Sequence, residues 1–361
     1  MSRIIFFCVA LMMARIGIGQ PSTVGPLAEE QVWGLLESTF TDLPIETEIA
    51  LAWVQGDTVR YLGARKEGKG ALIRLDNRKH IFEIGSVTKV LTTQLLVHAV
   101  LEEKIESLDS PVQAYLDFTL LEGDSITFRD LVSHQSGISN EIARSVLSGR
   151  RNPYASFGKE ELKEHLKQTP PVFLPGSQYQ YSNVGMALLG HVLSEVYGQP
   201  YEKLLEEVVF QPLAMSHSRV GQPVLPDLLV SGLNHKGKPT DNWTFGALAG
   251  AGGVLSCVED LSAYAGWSFD ALTGDSAVMT EPIRAVTPKT SVALGWHQLS
   301  LSDQAPFLWH SGGTGGYSAG LALRPEARQA VVVLSNVSSI NNPKKKAINR
   351  LAYELMAEIE K

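Results

Sequence analysis

The sequence predicts an α+β (mixed α/β) fold: one antiparallel sheet built from both chain ends, flanked by terminal helices, with a mostly helical domain inserted between its halves. Three observations predict it. Two-residue alternation of apolar side chains clusters near both ends of the chain. Apolar residues recurring at three and four fill the middle. Amphipathic helical patterns precede the first strand run and follow the last.

Ala28 to Phe40 reads as the first flanking helix. Glu46 to Tyr61 reads as a β hairpin, because Ile49, Leu51, Trp53 and then Val59 and Tyr61 alternate with small or polar residues around Gly56-Asp57. Helical periodicity then marks Val87 to Glu103, Glu160 to Gln168, Val184 to Tyr197 and Tyr201 to Val209. The β-rich runs Leu294 to Leu301, Phe307 to His310, Tyr317 to Leu323 and Ala330 to Leu334 are separated by turns and are expected to be antiparallel neighbours. Lys344 to Glu360 supplies the second flanking helix. Residues 26–358 thus read as a single unit, with a sheet subdomain from about 26–85 and 285–358 and a helical subdomain over about 86–284.

Composition bounds the function. The 361 residues are 44% hydrophobic and 19% charged, which excludes disorder, collagen and coiled coil. A net charge of -7 argues against nucleic acid as a partner, and the one clear basic run, Lys344 to Lys346, reads as a solvated face. Arg3, the apolar stretch Ile4 to Ala14 and the small residues Gly17-Ile18-Gly19 read as a signal peptide over 1–19, so the mature chain is expected to be exported, periplasmic or secreted. That stretch is shorter than the ~20 residues a bilayer requires, so no stable membrane span is expected after processing. Cys8 has no lipobox-like residues before it. Cys257 would then be the one remaining cysteine, which excludes an internal disulfide and a cysteine metal cluster.

Gly85-Ser86-Val87-Thr88-Lys89 opens a helix that is apolar on most sides, through Val90, Leu91, Leu95, Leu96, Val97, Val100 and Leu101. Ser86 falls in its first turn, where the helix dipole and unpaired N–H groups favour an oxyanion, and Lys89 lies one turn on along the same face. Burial of that lysine would lower its pKa until a neutral amine could take the serine proton. Ser156-Phe157-Gly158-Lys159 repeats the spacing in an apparent loop, so only position before a buried helix separates the two copies. Tyr181-Ser182-Asn183 precedes another helix, where Ser182 or Asn183 could be a cap. The run His310-Ser311-Gly312-Gly313-Thr314-Gly315-Gly316 would let a strand edge approach a ligand closely.

In order and spacing, Ser86-x-x-Lys89, Tyr181-x-Asn183 and His310-Ser311-Gly312 resemble the penicillin-recognising serine hydrolases, in the branch of class C β-lactamases, serine D-alanyl-D-alanine carboxypeptidases and related esterases. The resemblance covers roughly Ile45 to Glu358 and includes Phe82-Glu83-Ile84, Leu131 to Gly137, Pro175-Gly176, Gly250 to Val254 and Glu259-Asp260-Leu261. It implies the serine β-lactamase/transpeptidase-like fold and a Ser86 acyl-enzyme, with Lys89 and Tyr181 exchanging protons. It further implies Asn183 binding the substrate carbonyl, Ser311 lining the strand side beside Gly312, and backbone N–H groups of Ser86 and Gly313 as the oxyanion hole. The implied substrates are β-lactams or D-alanyl-D-alanine-type peptides. No cofactor and no metal are implied.

The chain departs from the branch where class C enzymes usually carry Lys-Thr-Gly. His310 replaces a fixed charge by a titratable one, so recognition of carboxylate-bearing substrates is expected to fall as pH rises through the histidine pKa. The alternative is a neutral His310 hydrogen-bonded within its strand. Gly316-Tyr317-Ser318-Ala319-Gly320 spells a nucleophile elbow, but no histidine follows it and the next residues are strand-like. Two further alternatives stay open: a carboxylesterase of the same fold, and a penicillin or cell-wall-peptide binding protein that acylates without turnover.

Overall fold

A computed structural model describes residues 27–41, 43–68, 70–142, 152–223, 225–301, 305–340 and 346–360. The expected leader at 1–19, Cys8 and the basic residues Lys344 and Lys345 lie outside the described residues.

Nine strands form one antiparallel sheet: β1 (Glu48–Gln55), β2 (Thr58–Glu67), β3 (Ala71–Arg74), β7 (Arg284–Thr287), β8 (Thr290–Val292), β9 (His297–Leu299), β10 (Phe307–Gly313), β11 (Ser318–Arg324) and β12 (Gln329–Ser335). A small second sheet takes β4 (Phe82–Glu83), β5 (Arg219–Val220) and β6 (Val254–Ser256). The helices are α1 (Glu29–Phe40), α2 (Thr88–Leu101), α3 (Phe128–Val132), α4 (Lys159–Gln168), α5 (Asn183–Tyr197), α6 (Tyr201–Leu205), α7 (Ala249–Gly252), α8 (Val258–Thr273) and α9 (Lys346–Glu360).

The large sheet has the order β3-β2-β1-β12-β11-β10-β9-β8-β7, so the two chain ends meet at β1 and β12. Their register runs from Ile49 opposite Ser335 to Gln55 opposite Gln329. At the β1–β2 turn Gln55 pairs with Thr58, and Gly56 adopts φ +62°, the left-handed backbone that a two-residue hairpin turn requires. Alternation along β1 sends Ile49, Leu51 and Trp53 to one face, where α1 and α9 cover them with Val32, Leu36, Leu351 and Leu355. Ala50, Ala52 and Val54 face the other core, shared with α2, α5 and α8. The result is three layers with the sheet in the middle.

Helix α2 is buried on every side from Thr88 to Val97, as its apolar pattern predicts. Three sequence expectations need correction. The run Tyr201 to Val209 is not one regular helix: after Leu205 the backbone widens over Glu206–Phe210, with Gln211 N–H reaching Glu206 O. That widening lets Val209 and Phe210 join Leu204 and Leu205 in the core. Strands β5 and β6 of the small sheet interrupt the stretch expected to be mostly helical, because strands of two or three residues are too short to display a two-residue period. Strands β7 and β8 likewise precede the first expected C-terminal strand. Among the described residues no helix is long and apolar enough to cross a membrane.

Candidate active site

The β4 strand delivers Phe82-Glu83-Ile84 to a tight turn, Gly85–Val87, that leads into α2. Two glycines make this approach possible. Gly85 holds φ +50°, and a side chain at Gly312 would place its Cβ 1.9 Å from the Ile84 carbonyl oxygen. The end of β10 therefore packs against the turn that carries Ser86, and a Cβ on Gly85 would stand 2.7 Å from the Gly313 nitrogen.

Lys89 has no exposed surface. Its Nζ lies 3.0 Å from Ser86 Oγ, 2.8 Å from Asn183 Oδ1 and 2.6 Å from the Ala251 carbonyl oxygen, and 4.8 Å above the Tyr181 ring. Burial drives its pKa well below the usual lysine range. All three hydrogen-bond partners of the amine are uncharged oxygens, so burial is not offset by a carboxylate among them. The second Ser-x-x-Lys copy has no such setting, since Lys159 is half exposed and pairs with Glu195 at 2.6 Å.

Tyr181 and Asn183 are brought to Ser86 by the start of α5. Ser182 is the N-cap, accepting the Gly185 N–H at 2.9 Å, so the capping reading holds for Ser182, while Asn183 turns its amide oxygen to Lys89. Asn140 fixes this turn from outside, donating to the Tyr181 carbonyl at 2.7 Å and accepting the Asn183 N–H. Burial raises the Tyr181 phenol pKa above its ordinary range, by more than the neighbouring Ser86 hydroxyl lowers it. Burial therefore shifts both groups toward their uncharged forms, the phenol upward and the lysine downward.

Three histidines collar Tyr181. His134 stacks at 4.2 Å between ring centroids, His310 lies at 6.5 Å, and His297 sits 5.7 Å from His310 while its Nε2 meets the Tyr179 hydroxyl at 2.9 Å. Burial depresses all three pKa values, and the neighbouring basic groups add to this. His310 Nδ1 lies 2.9 Å from the Ser311 carbonyl oxygen, which can only accept, so Nδ1 carries the proton. Desolvation outweighs the modest gain from that bond and depresses the His310 pKa, which favours the neutral, strand-bonded alternative over the cationic one. Ser311, Gly312 and Gly313 line the same cleft as Ser86, Tyr181, His297 and His310.

Other sequence readings fall into place. Ser318 opens β11 buried, with its hydroxyl donating to the Val337 carbonyl. Cys257 is buried as the N-cap of α8, with Sγ accepting the Asp260 N–H at 3.4 Å. It forms, with His217 and Asp260, a trio whose donor atoms lie within 4.8 Å of one another. The Asp260 carboxylate is already engaged there by the His217 N–H and the Ser218 hydroxyl. Sequence reasoning missed Asn140, His297 and the Ala251 carbonyl. Asn140 lies just past a noticed motif; a backbone oxygen leaves no residue-level signal.

The Beta-lactamase family model matches residues 38–354. The chain is similar to a β-lactamase of Pseudomonas fluorescens, 29% identical over 238 residues, covering 64% of this chain and 63% of that protein. It is also similar to the D-alanyl-D-alanine-carboxypeptidase/endopeptidase AmpH of Escherichia coli K12, 26% identical over 341 residues, covering 86% and 85%. Among solved structures, a β-lactamase/D-alanine carboxypeptidase from Pseudomonas syringae superposes with TM-score 0.75 at 17% identity, over 91% of this chain and 98% of that one. A protein of the same description from Yersinia pestis, complexed with citrate, gives 0.71 at 20% identity, over 91% and 100%. At those identities the superpositions establish the fold.

Proposed function

From the premise that this chain belongs to the β-lactamase family, we propose that it is an exported serine hydrolase working through a Ser86 acyl-enzyme on β-lactams or D-alanyl-D-alanine-type peptides. The family match and the named relatives support the coarser statement, a hydrolase of the serine β-lactamase fold. The observation that carries the finer one is the position of Lys89 Nζ, wholly buried and 3.0 Å from Ser86 Oγ with no carboxylate to hold it charged.

In this reading Ser86 Oγ attacks the substrate carbonyl and its proton passes to the Lys89 amine. The oxyanion is held by the Ser86 and Gly313 N–H groups, a contact of about 3 kcal/mol per donor in comparable enzymes. The carbon–nitrogen bond breaks, Tyr181 and Lys89 relay the proton to the leaving nitrogen, and water then releases the acid and restores Ser86. Asn183 orients the acyl half, and His310, Ser311 and Gly312 the strand side. Arg3, Ile4 to Ala14 and Gly17 to Gly19 support export, and hence a periplasmic or secreted enzyme built of the sheet and helical subdomains described above.

A second reading, a carboxylesterase of the same fold, is favoured by the burial of His310, which lowers its pKa and so weakens the charge it offers a substrate carboxylate. The test is intact-protein mass spectrometry of wild type and Ser86→Ala with a β-lactam, a D-alanyl-D-alanine peptide and a short-chain ester. A transient adduct on wild type alone is expected. An adduct that persists in Ser86→Ala sinks the assignment; a wild-type adduct from the ester alone selects the esterase.

A further inference from the structure

Ala251, whose carbonyl receives Lys89 Nζ, belongs to α7, and a helix of four residues is not held in place by its own backbone bonds. The Ala249 oxygen accepts the Gly253 N–H at 2.9 Å. The next two oxygens leave the helix end for side chains of α2: Thr92 Oγ1 donates to the Gly250 oxygen at 2.7 Å and Lys89 Nζ to the Ala251 oxygen at 2.6 Å. Lys89 and Thr92 are three residues apart and so share one face of α2.

In a continued helix the Val254 N–H would close on the Gly250 oxygen. Here it turns to Thr88 Oγ1 at 3.2 Å, and the Thr92 hydroxyl supplies the missing proton. Two threonines one turn apart on α2 thus replace a bond that α7 lacks. The Thr92 hydroxyl has a single proton, and within reach are the Gly250 oxygen at 2.7 Å, the Thr88 oxygen at 3.1 Å and the Tyr201 hydroxyl at 2.7 Å. The nearer carbonyl is that of Gly250, whose backbone donor has gone to Thr88, so Tyr201 is left to donate to Thr92. Thr92 has no exposed surface, so bulk water does not stand in for its hydroxyl. On the far side α7 is pressed against α5: a Cβ on Gly250 would lie 2.9 Å from the Met186 oxygen and 3.3 Å from Gly190 Cα.

We propose that Thr92 is a positioning residue for acylation: by holding the Gly250 carbonyl it fixes the Ala251 carbonyl one residue on, and through that the Lys89 amine beside Ser86 Oγ. The proposal rests on the reading in which Lys89 takes the Ser86 proton. Misplacing a reacting group by about 1 Å costs on the order of a hundredfold in rate, so losing this hold slows acylation.

The experiment follows labelling of the full chain by a fluorophosphonate, with the labelled peptide identified by mass. The rate constant reports how reactive Ser86 is, and the amplitude how much of the sample is folded. Thr92→Val keeps nearly the same shape without the hydroxyl, and its rate constant is expected to fall by about ten- to a hundredfold. Thr92→Ser restores the donor and is expected to stay within about threefold of wild type. Thr92→Val also strands the Tyr201 hydroxyl, which lowers stability for a reason unconnected with Lys89. Adding Tyr201→Phe removes that group, so the double variant is expected to recover the urea midpoint lost to the phenol while its rate constant stays low. It also carries the test should Thr92→Val alone not fold. A Thr92→Val that loses amplitude and keeps the wild-type rate constant overturns the proposal. So does a double variant that recovers rate together with midpoint, or a Thr92→Ser as slow as Thr92→Val. Labelling that persists in Ser86→Ala instead overturns the Ser86 reading beneath it.

Discussion

Lys89 Nζ donates to the carbonyl oxygen of Ala251 at 2.6 Å, across 162 residues of sequence. That carbonyl belongs to α7, which also offers the Gly250 oxygen to Thr92, one turn along α2 from Lys89. The amine is thus positioned by the backbone and the Asn183 amide rather than by a carboxylate, and burial lowers its pKa without a counter-charge among those partners.

The first prediction is a one-limbed pH profile. Acylation by an uncharged ester requires neutral Lys89, whose pKa burial holds well below the lysine range, and protonated Tyr181, whose pKa burial raises. The rate should rise with pH as Lys89 loses its proton and then stay level to about pH 10, where an unperturbed phenol would titrate. Stopped-flow acylation rates decide it; a fall beginning below pH 9 means Tyr181 does not stay protonated.

Lys89 and Tyr181 should act as one proton-transfer unit. Lys89→Ala and Tyr181→Phe are each expected to lower the acylation rate by about 10³-fold or more, with the double variant within about tenfold of the worse single one. Losses that multiply mean the two groups work separately.

Stability should fall on the acid side through the histidine collar. His134, His297 and His310 have folded pKa values below the unfolded value of ~6.5, so their burial costs nothing extra above that pH, and the unfolded chain gains protons first as pH drops. Each ring then removes up to about 1.4 kcal/mol per pH unit until its folded pKa is reached. Urea midpoints between pH 7.5 and 5.5 measure the slope, to which His165 and His191, also depressed by burial, contribute, and His297→Gln should reduce it. An unchanged slope in that variant rules His297 out as a contributor.

Asn336 should be a stability residue without contact to the reacting atoms. Its buried amide accepts the Glu48 N–H at 2.7 Å and donates to the carbonyls of Glu46 at 3.1 Å and Ser231 at 2.9 Å, tying β1 to the chain beyond β12. Asn336→Ala leaves those groups without partners and is expected to cost about 3 kcal/mol. Chemical denaturation should show a lower midpoint at constant slope; a loss under 1 kcal/mol means that water replaces the amide.

The large sheet was legible where alternation was long enough, as along Ile49, Leu51 and Trp53, and the small sheet was opaque because its strands have two or three residues, as at Phe82-Glu83. The pairing of Ser86 with Lys89 was legible as spacing, yet Ser156 and Lys159 carry the same spacing. Only the apolar run after Val90 distinguished them, because it foretold burial. His310 is of a type that suggests a switch at neutral pH, but its burial beside Tyr181 and His297 lowers its pKa, which no pattern in the sequence foretold. His297 belongs to none of the motifs, although the strand that delivers it, β9, falls within the expected run Leu294 to Leu301.

Because β1 sits between β2 and β12, the middle of the sheet cannot close until residue 335 has been synthesised. At roughly 5–20 residues per second the ribosome takes about 15–60 s to cover that interval. Throughout it, β1 offers the cell an unpaired edge that is apolar on both faces. Folding is dominated by contacts of high sequence separation, which makes it slow and, for a chain stopped short of β12, incomplete. Any chaperone that escorts the nascent chain must shield this strand, and a fragment truncated before Gln329 is destined for aggregation or proteolysis rather than for a smaller working enzyme.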